Sequence, residues 1–181
     1  MERQPLGCMS GMMINEVGEF CPGLEQLKKE HIPLTKQMEN FYELAQTIEE
    51  DETVATKENL QQLYTQVKEF VSQLEPHSER EEGVLFEMMV GHIGRETGPI
   101  VVMEYEHDQA KNYLRRFLSE TDQLGSKVEP NEIRTIANYA ASAYLILSDH
   151  FMKEENVLFP LAEQLLSPEE KQELEVKINQ I

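Results

Sequence analysis

The strongest constraint on the fold is a motif that occurs twice. His77-Ser-Glu-Arg-Glu81-Glu82-Gly83-Val84-Leu85-Phe86 and His150-Phe-Met-Lys-Glu154-Glu155-Asn156-Val157-Leu158-Phe159 both read H-x-x-x-E-E-x-V-L-F, 73 positions apart. Each follows a Glu-His dipeptide, Glu30-His31 and Glu106-His107, at separations of 46 and 43 residues between the histidines. Self-similarity of this length marks one structural unit used twice, here a pair of helices.

The spacing carries the chemistry. Residues i and i+4 of a helix lie on one face, so His77 with Glu81, and His150 with Glu154, each aim an imidazole nitrogen and a carboxylate at one point. His31 and His107 each add a nitrogen from another helix. Four imidazoles and two carboxylates are the donor set of a dinuclear transition-metal site, imidazole suiting iron or zinc and carboxylates bridging two cations. Glu82 and Glu155 sit one residue-step round and are expected either to be solvated or to support the ligands from outside the ligand set. The fifth histidine, His92, falls in a Gly-rich stretch, Gly91 to Gly98, expected to be a loop; it has no assigned role beyond packing or solvent.

Apolar residues recur at spacings of three and four, the signature of helices with one buried face. The first stripe is Leu24, Leu27, His31, Leu34, Met38, Phe41, Ala45 and Ile48. The second runs Leu60, Leu63, Val67, Phe70, Leu74, His77, Glu81, Leu85 and Met88 or Met89. A third follows Pro99, with Ile100, Met103, His107, Ala110, Leu114 and Phe117. The fourth, after Pro130, takes Ile133, Ile136 or Ala137, Ala140, Tyr144, Leu147, His150 or Phe151, Glu154, Leu158, Leu161 and Leu165. Histidine and glutamate on otherwise apolar stripes are the informative anomaly, because buried charge is costly unless paired or metal-bound. Pro33 and Pro76, next to two of these positions, are expected to kink their helices or remove a backbone hydrogen bond.

These stripes predict an all-α, up-down-up-down four-helix bundle over residues 22–166. An N-terminal arm (1–21) precedes it, and a short fifth helix (167–181) follows, capped by Ser167-Pro168-Glu169-Glu170. The formal net charge of −18 argues against nucleic acid and anionic membrane surfaces, both of which demand Lys and Arg. No apolar run approaches the ~20 residues that span a bilayer, and the expected location is the cytoplasm. Cys8 and Cys21 are read as ordinary thiols of a reducing compartment. H-E-x-x-H, G-x-G-x-x-G and G-x-x-x-x-G-K-[ST] are all absent.

Taken together, E-H, H-x-x-x-E-E-x-V-L-F, G-P-I-x-x-x-x-x-E-H (Gly98 to His107) and H-x-x-x-E-E-x-V-L-F-P (His150 to Pro160) resemble the hemerythrin-like, or HHE cation-binding, family over roughly residues 22 to 166. The resemblance implies a four-helix bundle around a non-haem di-iron centre. Its terminal ligands would be His31, His77, His107 and His150, and its bridges Glu81 and Glu154. Manganese and zinc also suit this donor set. Two departures separate the chain from oxygen-carrying members. Those carry a further histidine where this chain has Met103, and an Asp one place later than the bridging position that Glu154 occupies here. Four His and two Glu are closer to proteins similar to bacterial iron-centre repair factors, whose adjacent N-terminal cysteines this chain lacks. The implied function is binding or reaction of a small diatomic or peroxide (O2, NO, H2O2) in iron homeostasis or nitrosative and oxidative stress. A non-enzymatic oxygen or NO sensor or carrier, and an iron storage or donation protein, are the alternatives.

Overall fold

Proline and capping residues place the helix starts. Pro22, Pro99, Pro130 and Pro168 each open a helix, where the missing N–H costs nothing and φ is already helical. Thr56 accepts a hydrogen bond from the Asn59 backbone, and Ser167 with Glu170 completes a capping box. The computed structural model describes residues 19–125 and 127–181. Most of the expected N-terminal arm, Cys8 included, lies outside the described residues.

The elements are α1 (Pro22–Glu50), α2 (Lys57–Arg80), α3 (Glu87–Ile93), α4 (Pro99–Asp122), α5 (Pro130–Lys153), α6 (Phe159–Leu165) and α7 (Pro168–Ile178). No strand occurs among the described residues. A π-helical turn, Glu81–Phe86, joins α2 to α3, and a second, Glu154–Leu158, joins α5 to α6. Four rods therefore make the expected up-down-up-down bundle: α1, α2–α3, α4 and α5–α6, each packed against the next around a ring. No helix of the described residues is long and apolar enough to cross a membrane.

All the expected stripe positions of α1 and α4 are buried. Past Glu154 the fourth stripe slips by one. Leu165 is exposed and Leu161 only half-buried, while Ala162 and Leu166 are buried in their place. The π turn explains the correction, since its extra residue rotates everything downstream out of the uniform α phase. The loop expected from Gly91 also starts late, because Gly91-His92-Ile93 still belong to α3 and Gly94, at φ 74°, ends it. Helical assignment continues through Pro33 and Pro76.

The buried apolar residues form two clusters. One contains Leu34, Leu74, Ala110 and Leu147; the other contains Leu27, Leu85, Met103 and Leu158. Between these levels on the four rods lie His31, His77, His107 and His150, so a polar layer is clamped between two apolar ones. Helix α7 seals the second cluster with Leu174 and Ile178. Gly23 permits that approach: a Cβ there would stand 2.9 Å from Leu174 Cγ.

Candidate metal centre

Burial alone isolates the site. Among the described residues, the buried polar or charged side chains are His31, His77, Glu81, His107, His150 and Glu154, together with Ser78. The six expected from the motif are thus the six that the fold takes out of water, and it brings them into one cluster. Leaving such groups uncompensated would cost several kcal/mol per ion.

The donor atoms form two overlapping groups. His31, His77, Glu81 and Glu154 offer one, and His107, His150, Glu81 and Glu154 the other, each with its donor atoms within 4.8 Å of one another. Bonds of about 2.0–2.2 Å to one cation place donors at up to about 4 Å from each other. The two glutamates belong to both groups. Glu81 turns Oε1 toward His77 Nε2 at 3.2 Å and Oε2 toward His107 Nε2 at 3.6 Å. Glu154 turns Oε1 toward His150 Nε2 at 3.1 Å and Oε2 toward His31 Nε2 at 3.3 Å. Each carboxylate therefore presents one oxygen to each histidine pair, the posture of a bridge. His107 Nε2 and His150 Nε2 converge to 2.7 Å.

Apart from the His107–His150 contact, these approaches are close but poorly directed for hydrogen bonding. Among the described residues, His31 Nε2, His77 Nε2 and all four oxygens of Glu81 and Glu154 have no hydrogen-bond partner. Buried polar groups of proteins are ordinarily satisfied, so a convergent set of unsatisfied lone pairs fits a cation. The donor types agree with a transition metal, and Glu81 and Glu154 suit two ions better than one.

The opposite nitrogen of every imidazole is held by a carboxylate, a task that sequence reasoning had offered to Glu82 and Glu155 as one of two readings and had not given to Glu30 and Glu106. His77 Nδ1 donates to Glu30 at 2.9 Å and His150 Nδ1 to Glu106 at 3.1 Å. His31 Nδ1 donates to Glu155 at 2.9 Å and His107 Nδ1 to Glu82 at 2.5 Å. With Nδ1 protonated, each Nε2 lone pair faces the centre, an orientation that also raises its basicity. Glu82 and Glu155 thus stand outside the buried six-residue cluster and hold two of its imidazoles. The Glu of each Glu-His dipeptide reaches the other helix of its own hairpin, whereas the second Glu of each E-E doublet reaches the other half. Their recurrence in both motifs was the available signal. Arg80 backs Glu30, Lys153 backs Glu106 and Lys111 backs Glu82.

The π turns begin at Glu81 and Glu154 themselves. A wider turn lets consecutive glutamates do different work, the first pointing inward and the second reaching sideways to an imidazole. Such turns are rare and concentrate at functional sites.

Electrostatics follow the same map. Burial opposes a proton on His31, but contacts with Glu154 and Glu81 prevail and raise it to about 10. Against the same desolvation, Glu81 and Glu30 raise His77 to about 9, and Glu154 and Glu106 raise His150 to about 10. Burial likewise pushes Glu81 up, yet the surrounding imidazoles hold it well below the usual carboxylate range. The hydrogen bond from His107, with Lys111 adding to it, brings Glu82 down to about 2. Protons on imidazoles or cations on their lone pairs can balance these acids, and the two compete.

Two other expectations are answered outside the cluster. His92, on α3 rather than in a loop, pairs with Glu170 of α7 at 2.9 Å. Cys21 forms no disulfide among the described residues, and its backbone N–H donates to Glu163 at 2.7 Å.

Comparison with known proteins agrees with the geometry. The chain is similar to the iron-sulfur cluster repair protein YtfE of Musicola paradisiaca (strain Ech703), 36% identical over 104 residues, covering 55% of this chain and 46% of that protein. It is also similar to the protein of the same name from Escherichia coli O157:H7, 39% identical over 95 residues, covering 50% of this chain and 42% of the relative. The chain therefore matches less than half the length of these relatives. A family model for the hemerythrin HHE cation binding domain matches residues 23–162. That match spans all four rods of the bundle, and the chain belongs to the hemerythrin HHE cation-binding family.

Proposed function

We propose that the protein holds two non-haem iron ions and binds or reacts with a small diatomic or a peroxide, in iron homeostasis or the response to nitrosative and oxidative stress. His31 and His77 would hold one iron, His107 and His150 the other, and Glu81 and Glu154 would bridge them. The observation that carries this reading is the splitting of both glutamates, each with one oxygen toward each histidine pair. Two bound irons would supply a position for an outside ligand and a change of oxidation state, held by the four residues of each donor group.

The chain's own residues do the remainder. Four carboxylates fix the imidazole tautomers, two apolar clusters exclude bulk water, and the bridging glutamates neutralise part of the cationic charge. A second reading, donation of iron to damaged iron–sulfur proteins, is favoured by the names of the relatives. Anaerobically purified protein is expected to carry about two irons per chain and to bind nitric oxide in its reduced state. Transfer of that iron to an acceptor lacking its cluster supports the second reading. Fewer than about one metal per chain after reconstitution contradicts both.

A further inference from the structure

The duplicated motif allows the two halves to be compared position by position. Residues of the second motif's rod stand 73 positions after their counterparts, and those of α4 stand 76 after their counterparts in α1. The seam between α5 and α1 is filled. Tyr144 stacks on Tyr42 with ring centroids 4.0 Å apart, and Phe151 stacks on His31 at 4.1 Å. Phe159 covers His31 further at 5.7 Å.

The related seam, between α2 and α4, has Val71 and Leu118 in place of the tyrosine pair, and Ser78 in place of Phe151. A cavity of about 600 Å³ opens there. Its floor is Val71, Leu74, Leu114 and Leu118. Its inner end is formed by Ser78, Gly83 and the Glu82–Lys111 pair, and Glu82 is the carboxylate that holds His107. A Cβ at Gly83 would meet nothing within 4 Å, whereas the second motif has Asn156 at that position. The aromatic ring nearest His107 in this half is Phe86 at 5.5 Å, and nothing replaces the stacked Phe151.

We propose that this cavity is the access and holding site for a small uncharged diatomic, and that it leads to the metal position framed by His107 and His150 rather than to the one framed by His31 and His77. The proposal rests on the two-iron reading above. An apolar floor concentrates uncharged gases from water. The lining carries both signs of charge, Glu75, Glu79 and Glu82 against Lys111 and Arg115, so it selects for neither ion, and the net charge of −18 disfavours anions. The two metal positions, alike in donors, thereby become unequal in access.

The experiment transplants the filled seam onto the open one. Val71→Tyr with Leu118→Tyr, and separately Gly83→Leu, should leave iron content and the optical spectrum unchanged. Both should slow nitric oxide binding to the reduced protein, followed by stopped flow, by at least about tenfold, since obstructed docking acts on the association rate. Xenon binding gives a readout independent of metal: xenon should occupy the α2/α4 cavity of the unaltered protein, as it does other apolar cavities, and be lost in both variants. Iron-loaded variants that fold and bind nitric oxide within twofold of the unaltered rate overturn the proposal while leaving the two-iron reading intact. So does xenon settling between α5 and α1 instead. A chain that takes up no iron ends both.

Discussion

The two halves of the bundle agree in their donors and disagree in their surroundings. In the first, Glu30, His31, His77, Glu81 and Glu82 occupy the places that Glu106, His107, His150, Glu154 and Glu155 take in the second. Each hydrogen bond from an imidazole Nδ1 to its carboxylate has its counterpart: Glu30–His77 matches Glu106–His150, and Glu82–His107 matches Glu155–His31. Even the supporting cations Arg80 and Lys153 are related. The match fails one step further out. Lys111 supports Glu82, while the residue at its counterpart position in α1 is Thr35. Aromatic rings fill the α5/α1 seam and aliphatic side chains leave the α2/α4 seam open. A shared centre requires equal contributions from both halves, whereas the seams outside it are free to diverge.

The largest expected effect comes from breaking what the halves share. Glu81→Ala removes an oxygen from each donor group, so iron should fall from about two to below about one per chain; retention of both irons would break the comparison at its centre. A smaller effect tests the supporting carboxylates. Glu82→Gln and Glu155→Gln should each lower metal affinity by about tenfold to a hundredfold in competition titrations. Lys111→Met should weaken binding less, and Thr35→Met should leave it unchanged. Equal losses from Lys111→Met and Thr35→Met would remove the asymmetry.

Protons sharpen the same picture in metal-free protein. His31, His77 and His150 are raised from 6.5 to about 10, 9 and 10. Their contribution to stability is complete below about pH 6.5 and is lost as pH climbs through 9 to 10. Glu82, lowered from 4.5 to about 2, contributes above pH 4.5 and ceases to do so as pH falls through 2. Thermal melts of metal-free protein should therefore show higher stability at pH 6 than at pH 9.5, and bound metal should flatten that loss by replacing the protons. A metal-free protein more stable at pH 9.5 would contradict the charge map. The smallest effect belongs to His92→Ala, which removes a surface pair with Glu170; metal content should not change, and the melting temperature should barely move.

Much of the bundle was legible because its stripes are regular. Eight positions of α1 and six of α4 were readable from spacing alone, His31 and His107 included. The misread stripe positions lie after Glu154, where uniform 3.6-residue periodicity stops applying, whereas Leu85 and Met89 after Glu81 are buried as expected. Leu161 and Leu165 gave way to Ala162 and Leu166 for that reason. A clue lay in Val84-Leu85-Phe86, three consecutive large apolar residues that are all buried, more than one face of a regular helix accommodates. The tasks of Glu30, Glu82, Glu106 and Glu155 were harder to see, because an exposed-looking glutamate on a helix is ordinarily solvated. Only tertiary packing places each beside an imidazole of another rod. The open α2/α4 seam was illegible for a related reason: Val71, Leu118 and Ser78 are unremarkable until set beside Tyr144, Tyr42 and Phe151.

An anomalous-scattering map from crystals of the iron-loaded protein tests the central claim most directly. The account predicts two iron peaks inside the bundle, one contacting His31 and His77, the other His107 and His150, both contacting Glu81 and Glu154. A single peak, or iron bound anywhere that leaves Glu81 and Glu154 uncoordinated, would contradict it.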